Sequence, residues 1–278
     1  MSRVFTIAIT CISRALVLRD RLMGRIGSGR LSDIGDTADT SDALVSRHAI
    51  RSGKNVLDAF FVRPAAVPVQ SVVLICHGIG ETVEHWLPVQ RLLAANGAAS
   101  LVFDYSGYGR STGSINVNQC ERDAIAAFEL LCDLMPGFSV SLLGYSLGSG
   151  VAAAIIGRVA AERLVLCAAF TSFREAACSI GIPKRFAFAV PHVWKAEEAL
   201  RDCEVPVLIV HGERDQLFPV RMASELNAFC GWNAEVVLVP EVSHNEPFYQ
   251  PDLSYWGLIL SRLAIARLVE GIEQAASG

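Results

Sequence analysis

The sequence predicts an α/β domain: a mainly parallel sheet of eight strands with helices on both faces. Two observations carry this. The chain has 278 residues, 52% apolar and 19% charged, with a mean hydropathy of +0.39, a composition that packs a core and excludes a disordered chain. From about residue 45 onward, short apolar runs alternate with stretches of helical period, the signature of βαβ units.

The elements follow in order. Val45–Ile50 and Val56–Val62 read as two strands with no helix between them. A strand at Ser71–Cys76, a helix at Val83–Asn96 and a strand at Ala99–Phe103 come next. The middle of the domain is a helix at Gln119–Met135, a strand at Val140–Leu143, a helix at Leu147–Val159 and a strand at Leu164–Ala169. Strands at Pro206–Val210 and Glu235–Val239, with helices at Arg221–Phe229 and Leu253–Glu270, complete it.

The first 44 residues read differently from the rest. Residues 1–30 hold six arginines against one acid, so a net charge of −4 divides into +5 there and −9 elsewhere. At helical period Arg3, Arg14, Arg21 and Arg25 form one stripe beside Val4, Ile9, Ile12 and Leu16. Two readings stay open: a peripheral contact with an anionic membrane surface, or a helix packed on the domain. Arg14 interrupts the apolar run well short of a membrane span, and no cleavage signal follows it promptly. Residues 27–44 are rich in Gly, Ser, Thr and Asp and read as a linker. The domain is therefore expected over 45–278.

Charge and cysteine usage exclude some functions. A pI near 5.9 offers no basic field for nucleic acid. The eight cysteines form no CxxC pair, and Cys76, Cys132 and Cys167 fall in apolar runs, so reduced core thiols in a cytoplasmic setting and no bound metal are expected.

Gly144-Tyr145-Ser146-Leu147-Gly148 lies directly after an apolar strand and directly before a small-residue helix. A serine on so sharp a turn needs small neighbours two positions either side, and the helix N-terminus favours developing negative charge. Gly109-Arg110-Ser111-Thr112-Gly113 fits the same pattern but opens no helix, so Ser111 is read as shaping its loop. A serine hydroxyl needs a base, and the base an orienting acid. Asp215 follows the strand VLIV in the turn HGERD, and His244 follows the strand VVLV in VSHNEP. Glu213 fits the turn less well, and His85, His192 and His211 do not follow the last strand. For the oxyanion, backbone N–H groups are expected from Leu147 and from Ile79 in the loop His77-Gly78-Ile79-Gly80, with His77 structural.

The segments HGIG, FDYSGYGRS, GYSLG, HGERDQLFP and VSHNEP, in this order, resemble the α/β-hydrolase superfamily, its serine-aminopeptidase-like and monoglyceride-lipase-like branch in particular. The resemblance spans about residues 45–272 and implies the α/β-hydrolase fold, with nucleophile Ser146, acid Asp215, base His244, oxyanion donors Ile79 and Leu147, and no cofactor. Ser106 stands where many members carry arginine, a difference in loop packing. The family places its cap after the sixth strand, which here allots it residues 171–203. Phe173, Phe186, Phe188 and Trp194 in that cap are expected to face an acyl chain, although aromatics there could equally only seat the cap. The expected activity is hydrolysis of a carboxylic ester through an acyl-enzyme. A peptidase, amidase or thioesterase with the same residues stays open, as does a ligand-binding receptor on this fold. Substrate identity and oligomeric state are not legible.

Overall fold

The computed structural model describes residues 40–231 and 233–263. The expected helix over 1–30 and nearly all of the linker lie outside these residues, as does the last expected helix beyond 263. β1 (Ala43–Ser52) turns at Gly53, whose φ of +59° suits glycine, into the antiparallel β2 (Asn55–Pro64). β3 (Ser71–Cys76), α1 (Val83–Ala95) and β4 (Ala98–Phe103) follow. After them come α2 (Val117–Leu134), β5 (Val140–Tyr145), α3 (Leu147–Ile155) and β6 (Ala161–Cys167). Then come α4 (Phe173–Ser179), a 3-10 turn (Lys184–Ala189), α5 (Ala196–Arg201) and β7 (Val207–Gly212). α6 (Arg221–Phe229), β8 (Ala234–Val239), α7 (Glu246–Tyr249) and a helix described over 253–263 close the domain.

The eight strands order as β1-β2-β4-β3-β5-β6-β7-β8. Strands from β4 to β8 run parallel, and only the β1–β2 and β2–β4 pairs are antiparallel. Every residue of β4, β5 and β7 is buried, because helices cover both faces of a parallel sheet and leave no polar side to alternate with. One core joins Val73, Ile75, Leu143 and Val165 to Trp86 of α1 and to Trp256 and Ile259. The other joins Leu74, Leu142 and Leu166 to α2, α3 and α6 through Phe128, Val151 and Met222.

Boundaries differ where local chemistry tightens the chain. The helix expected to reach Val159 is α-helical to Ile155 and finishes as a 3-10 turn over Ile156–Arg158. Cys76 and Cys167 are buried, and burial pushes both thiols up to about 12. Cys132, expected in the core, is exposed: the inward stripe of α2 runs through Cys120, Ala124, Ala127 and Leu131, and the next position points outward. No helix among the described residues is long and apolar enough to cross a membrane.

Candidate active site

Parallel sheets gather functional groups beyond the carboxyl ends of their strands, where the loops converge. In the β3–β5 register Cys76 lies opposite Gly144, so the loops leaving these two strands start side by side. Ser146 takes φ +53°, ψ −117°, a left-handed conformation that an L-residue holds only under constraint. Its N–H donates to the Cys167 carbonyl at 3.0 Å, and the Ser149 hydroxyl donates to its carbonyl at 2.7 Å. The flanking glycines make room for this turn. A Cβ on Gly144 would stand 2.4 Å from the Gly148 carbonyl oxygen, and one on Gly148 would stand 1.8 Å from that of Cys76.

Three buried side chains meet at this edge in a hydrogen-bonded row. His244 Nε2 lies 2.9 Å from Ser146 Oγ, and His244 Nδ1 lies 2.7 Å from Asp215 Oδ2. The other Asp215 oxygen accepts the N–H groups of Leu217 and Phe218, each at 2.8 Å. Burial raises the Asp215 carboxyl, but His244, the Phe218 amide and His211 outweigh it and hold the group below its usual 3.8. With Asp215 ionised, Nδ1 of His244 carries the proton and Nε2 is left free to accept one from the serine. Tyr145 fixes the backbone of this loop by donating its hydroxyl to the His244 carbonyl.

The other candidates fall elsewhere. Glu213 is exposed. His211 donates from Nε2 to the Phe218 carbonyl at 2.9 Å and shapes the turn that carries Asp215. The His85 Nδ1 accepts the Thr82 N–H at 3.1 Å, capping α1. His77 is fully buried between Tyr105 and Tyr108, and burial lowers it to about 4, so it stays neutral. Ser111 donates to the Asp104 carbonyl at 2.7 Å and accepts the Asp58 N–H at 2.9 Å, tying its loop to β2. Ser106 accepts from Asn55 at 2.9 Å, filling the place that the resemblance gives to arginine.

A narrow cavity of about 30 Å³ lies against Ser146, lined by Ile79, Leu147, Phe170, Phe173, Ala177 and Phe218 among others. Both residues expected to offer oxyanion N–H groups therefore border it. Of the four cap aromatics, only Phe173 is in the lining. Trp194 is buried against Phe173, with ring centroids 5.6 Å apart, and its indole donates to Glu121 of α2 at 3.2 Å, so it anchors the cap. Phe186 and Phe188 are 49% and 78% exposed, because the 3-10 turn that carries them has no buried position. A larger open groove beside Arg201, Glu204, Phe229 and Asn233 includes none of the three aligned side chains.

The sequence reading passed over Glu81. Its Oε2 accepts the Gly78 N–H and the Trp86 indole N–H, each at 2.7 Å, tying the loop that carries Ile79 to α1. Trp86 in turn packs edge-on against Tyr145, the residue before Ser146. The one available signal was an acid two positions after Ile79 in an otherwise uncharged loop. Burial raises Glu81 from 4.5 to about 7 in spite of its two donors. Between those values the folded chain binds a proton that the unfolded chain lacks, so this group's contribution to stability falls as pH rises through the window. Glu81→Gln keeps an accepting oxygen and cannot ionise. Its melting temperature relative to wild type is expected to rise from about pH 5 to about pH 8 in differential scanning fluorimetry; a flat or falling difference refutes the assignment.

These features place the chain among known proteins. It has the α/β-hydrolase fold. A family model described as serine aminopeptidase, S33, matches residues 67–194. The chain is 31% identical over 180 residues to an uncharacterized protein of Mycobacterium tuberculosis, the match spanning 63% of each. It is 26% identical over 175 residues to the lysophosphatidylserine lipase of Danio rerio, covering 56% of this chain and 46% of that one. The matches thus span less than two thirds of these relatives. Among solved structures, a cold-adapted esterase from an Arctic intertidal metagenomic library superposes with a TM-score of 0.63 at 15% identity, over 83% of this chain and 97% of that one. A Pyrococcus furiosus esterase gives 0.63 at 18% identity, over 79% and 91%.

Proposed function

We propose that the protein is a serine hydrolase that cleaves esters of apolar carboxylic acids through an acyl-enzyme. The observation that carries this is the row from Ser146 Oγ through both His244 ring nitrogens to Asp215, with spacings of 2.9 and 2.7 Å. His244 Nε2 takes the Ser146 proton as Oγ bonds the ester carbonyl carbon. The N–H groups of Ile79 and Leu147 receive the oxyanion, and Glu81 holds the first of these loops in place. The imidazolium returns the proton to the departing alkoxide, leaving an acyl-serine, and His244 then activates water to release the acid. The nearly uninterrupted apolar lining of the cavity supports an apolar acyl group. The named activity of the lysophosphatidylserine lipase relative supports lipid esters as the substrate class.

Rates on p-nitrophenyl esters of increasing chain length, beside the anilide of the best acyl group, test this reading. Turnover that rises beyond acetate and strongly prefers ester to anilide is expected; preference for the anilide would establish the amidase reading, and no turnover on any of them would favour a binding protein. Ala177 lies against this cavity at the cap and is buried. Ala177→Leu is expected to lower kcat/KM for a long-chain ester by about tenfold relative to the acetate ester, because added bulk displaces distal methylenes first. An equal loss on both esters would put the acyl chain elsewhere.

A further inference from the structure

We infer that the cap segment around the 3-10 turn Lys184–Ala189 is a docking surface for an anionic lipid bilayer, next to the residues of the cap that line the Ser146 cavity. From Ala176 to Ala196 the chain has no acidic residue, although the chain beyond residue 30 carries a net −9. In that stretch Lys184 and Arg185 are exposed, and neither enters an ion pair among the described residues. The Arg185 guanidinium sits 4.9 Å over the Phe186 ring, so cation and aromatic form one unit. Phe188 is 78% exposed, the most exposed large apolar side chain described. Solvated phenylalanines beside unpaired cations are the composition of an interfacial segment, which sinks rings into the acyl boundary while cations meet anionic headgroups.

The occupant follows from charge. A second copy related by two-fold symmetry would set Lys184 and Arg185 against their own equivalents. Residues 1–30 carry +5, the same sign as the patch, so their charge does not complement it. An anionic surface complements it. The position also has a consequence: Ile180, shortly before the turn, lines the Ser146 cavity, and the Ile182 N–H bonds the carbonyl of Ala177, another lining residue. A bilayer held by the turn would lie next to the cap segment that lines the Ser146 cavity. The docking itself does not rest on the hydrolase reading, since it is measured as binding.

The test is flotation of the full chain with vesicles of phosphatidylcholine alone and with about one third phosphatidylglycerol. Wild type is expected to float with the anionic vesicles, and Lys184→Glu/Arg185→Glu to lower that partitioning by about tenfold or more. Phe186→Ser/Phe188→Ser is expected to lower it too, with the wild-type melting temperature and the wild-type rate on a soluble acetate ester retained, since none of these four side chains reaches the cavity. A failed hydrolase reading would show as no ester turnover in any variant and would leave the flotation result standing. Three results would overturn the docking surface: equal flotation of wild type and both variants, flotation lost only on deleting residues 1–30, or a wild-type dimer that the Phe variant dissolves.

Discussion

Ser146→Ala is expected to abolish fluorophosphonate labelling and to lower kcat for ester hydrolysis by about four to six orders of magnitude, with folding unchanged. In the proposed mechanism serine, imidazole and carboxylate act as one unit, so removing Oγ also strands His244 and the expected loss is large. Alanine fits the site because Ser146 Cβ already occupies the turn; the variant inherits its positive φ of 53° and nothing bulkier. Gel fluorescence with a tagged fluorophosphonate and burst kinetics on a p-nitrophenyl ester read the two halves of the prediction. Labelling that persists in the variant would move the nucleophile to another residue, with Ser111 and Ser149 next to be replaced.

Gly148→Ala carries the largest expected effect on folding. The added methyl would lie 1.8 Å from the Cys76 carbonyl oxygen and 2.8 Å from that of His77, both backbone atoms that no side-chain rotation can move. Relief requires α3 to retreat from β3, which separates Ser146 from the Ile79 loop and opens the core beneath Leu147. A destabilisation of about 3 kcal/mol or more is expected, read as a drop in the urea midpoint or as insoluble expression. Gly157→Ala, where nothing lies within 4 Å of the added methyl, is the matched control and should be close to neutral. A Gly148→Ala protein as stable as that control would mean that α3 does not approach β3 this closely.

How much of this was legible depended on range along the chain. The parallel strands were readable because burial on both faces writes an unbroken apolar run, as in β5 and β7. Ser146 was readable because a strained turn between strand and helix demands glycines at fixed offsets. Asp215 and His244 could be proposed because each follows a strand of the same sheet, and the strand ends bring them together from 69 and 98 positions away from Ser146. Cys132 was misplaced because helical period separates it from Leu131 by a rotation of about 100° that an apolar run conceals.

The cap and the second layer of the site were not legible. Phe173, Phe186, Phe188 and Trp194 look alike in a segment without a sustained period, and periodicity is what tells an inward residue from an outward one. Phe173 faces the cavity because α4 is capped by Ser172, whose side chain accepts the Glu175 N–H at 3.2 Å and sets the phase of the helix. Phe186 and Phe188 stand on a turn that packs no side chain inward. Glu81 gains its part only from Gly78 and Trp86, contacts made once α1 folds back over the sheet.

The sequence by itself therefore determined the order of strands and helices, the strained serine turn and the positions from which a base and an acid could come, because local steric and periodic rules write these directly into neighbouring residues. Only the tertiary structure decided which cap aromatic meets the cavity, which are left to solvent beside Lys184 and Arg185, and which buried carboxylate steadies the Ile79 loop. Those outcomes depend on contacts between segments far apart in the chain, where packing rather than local preference selects the partner.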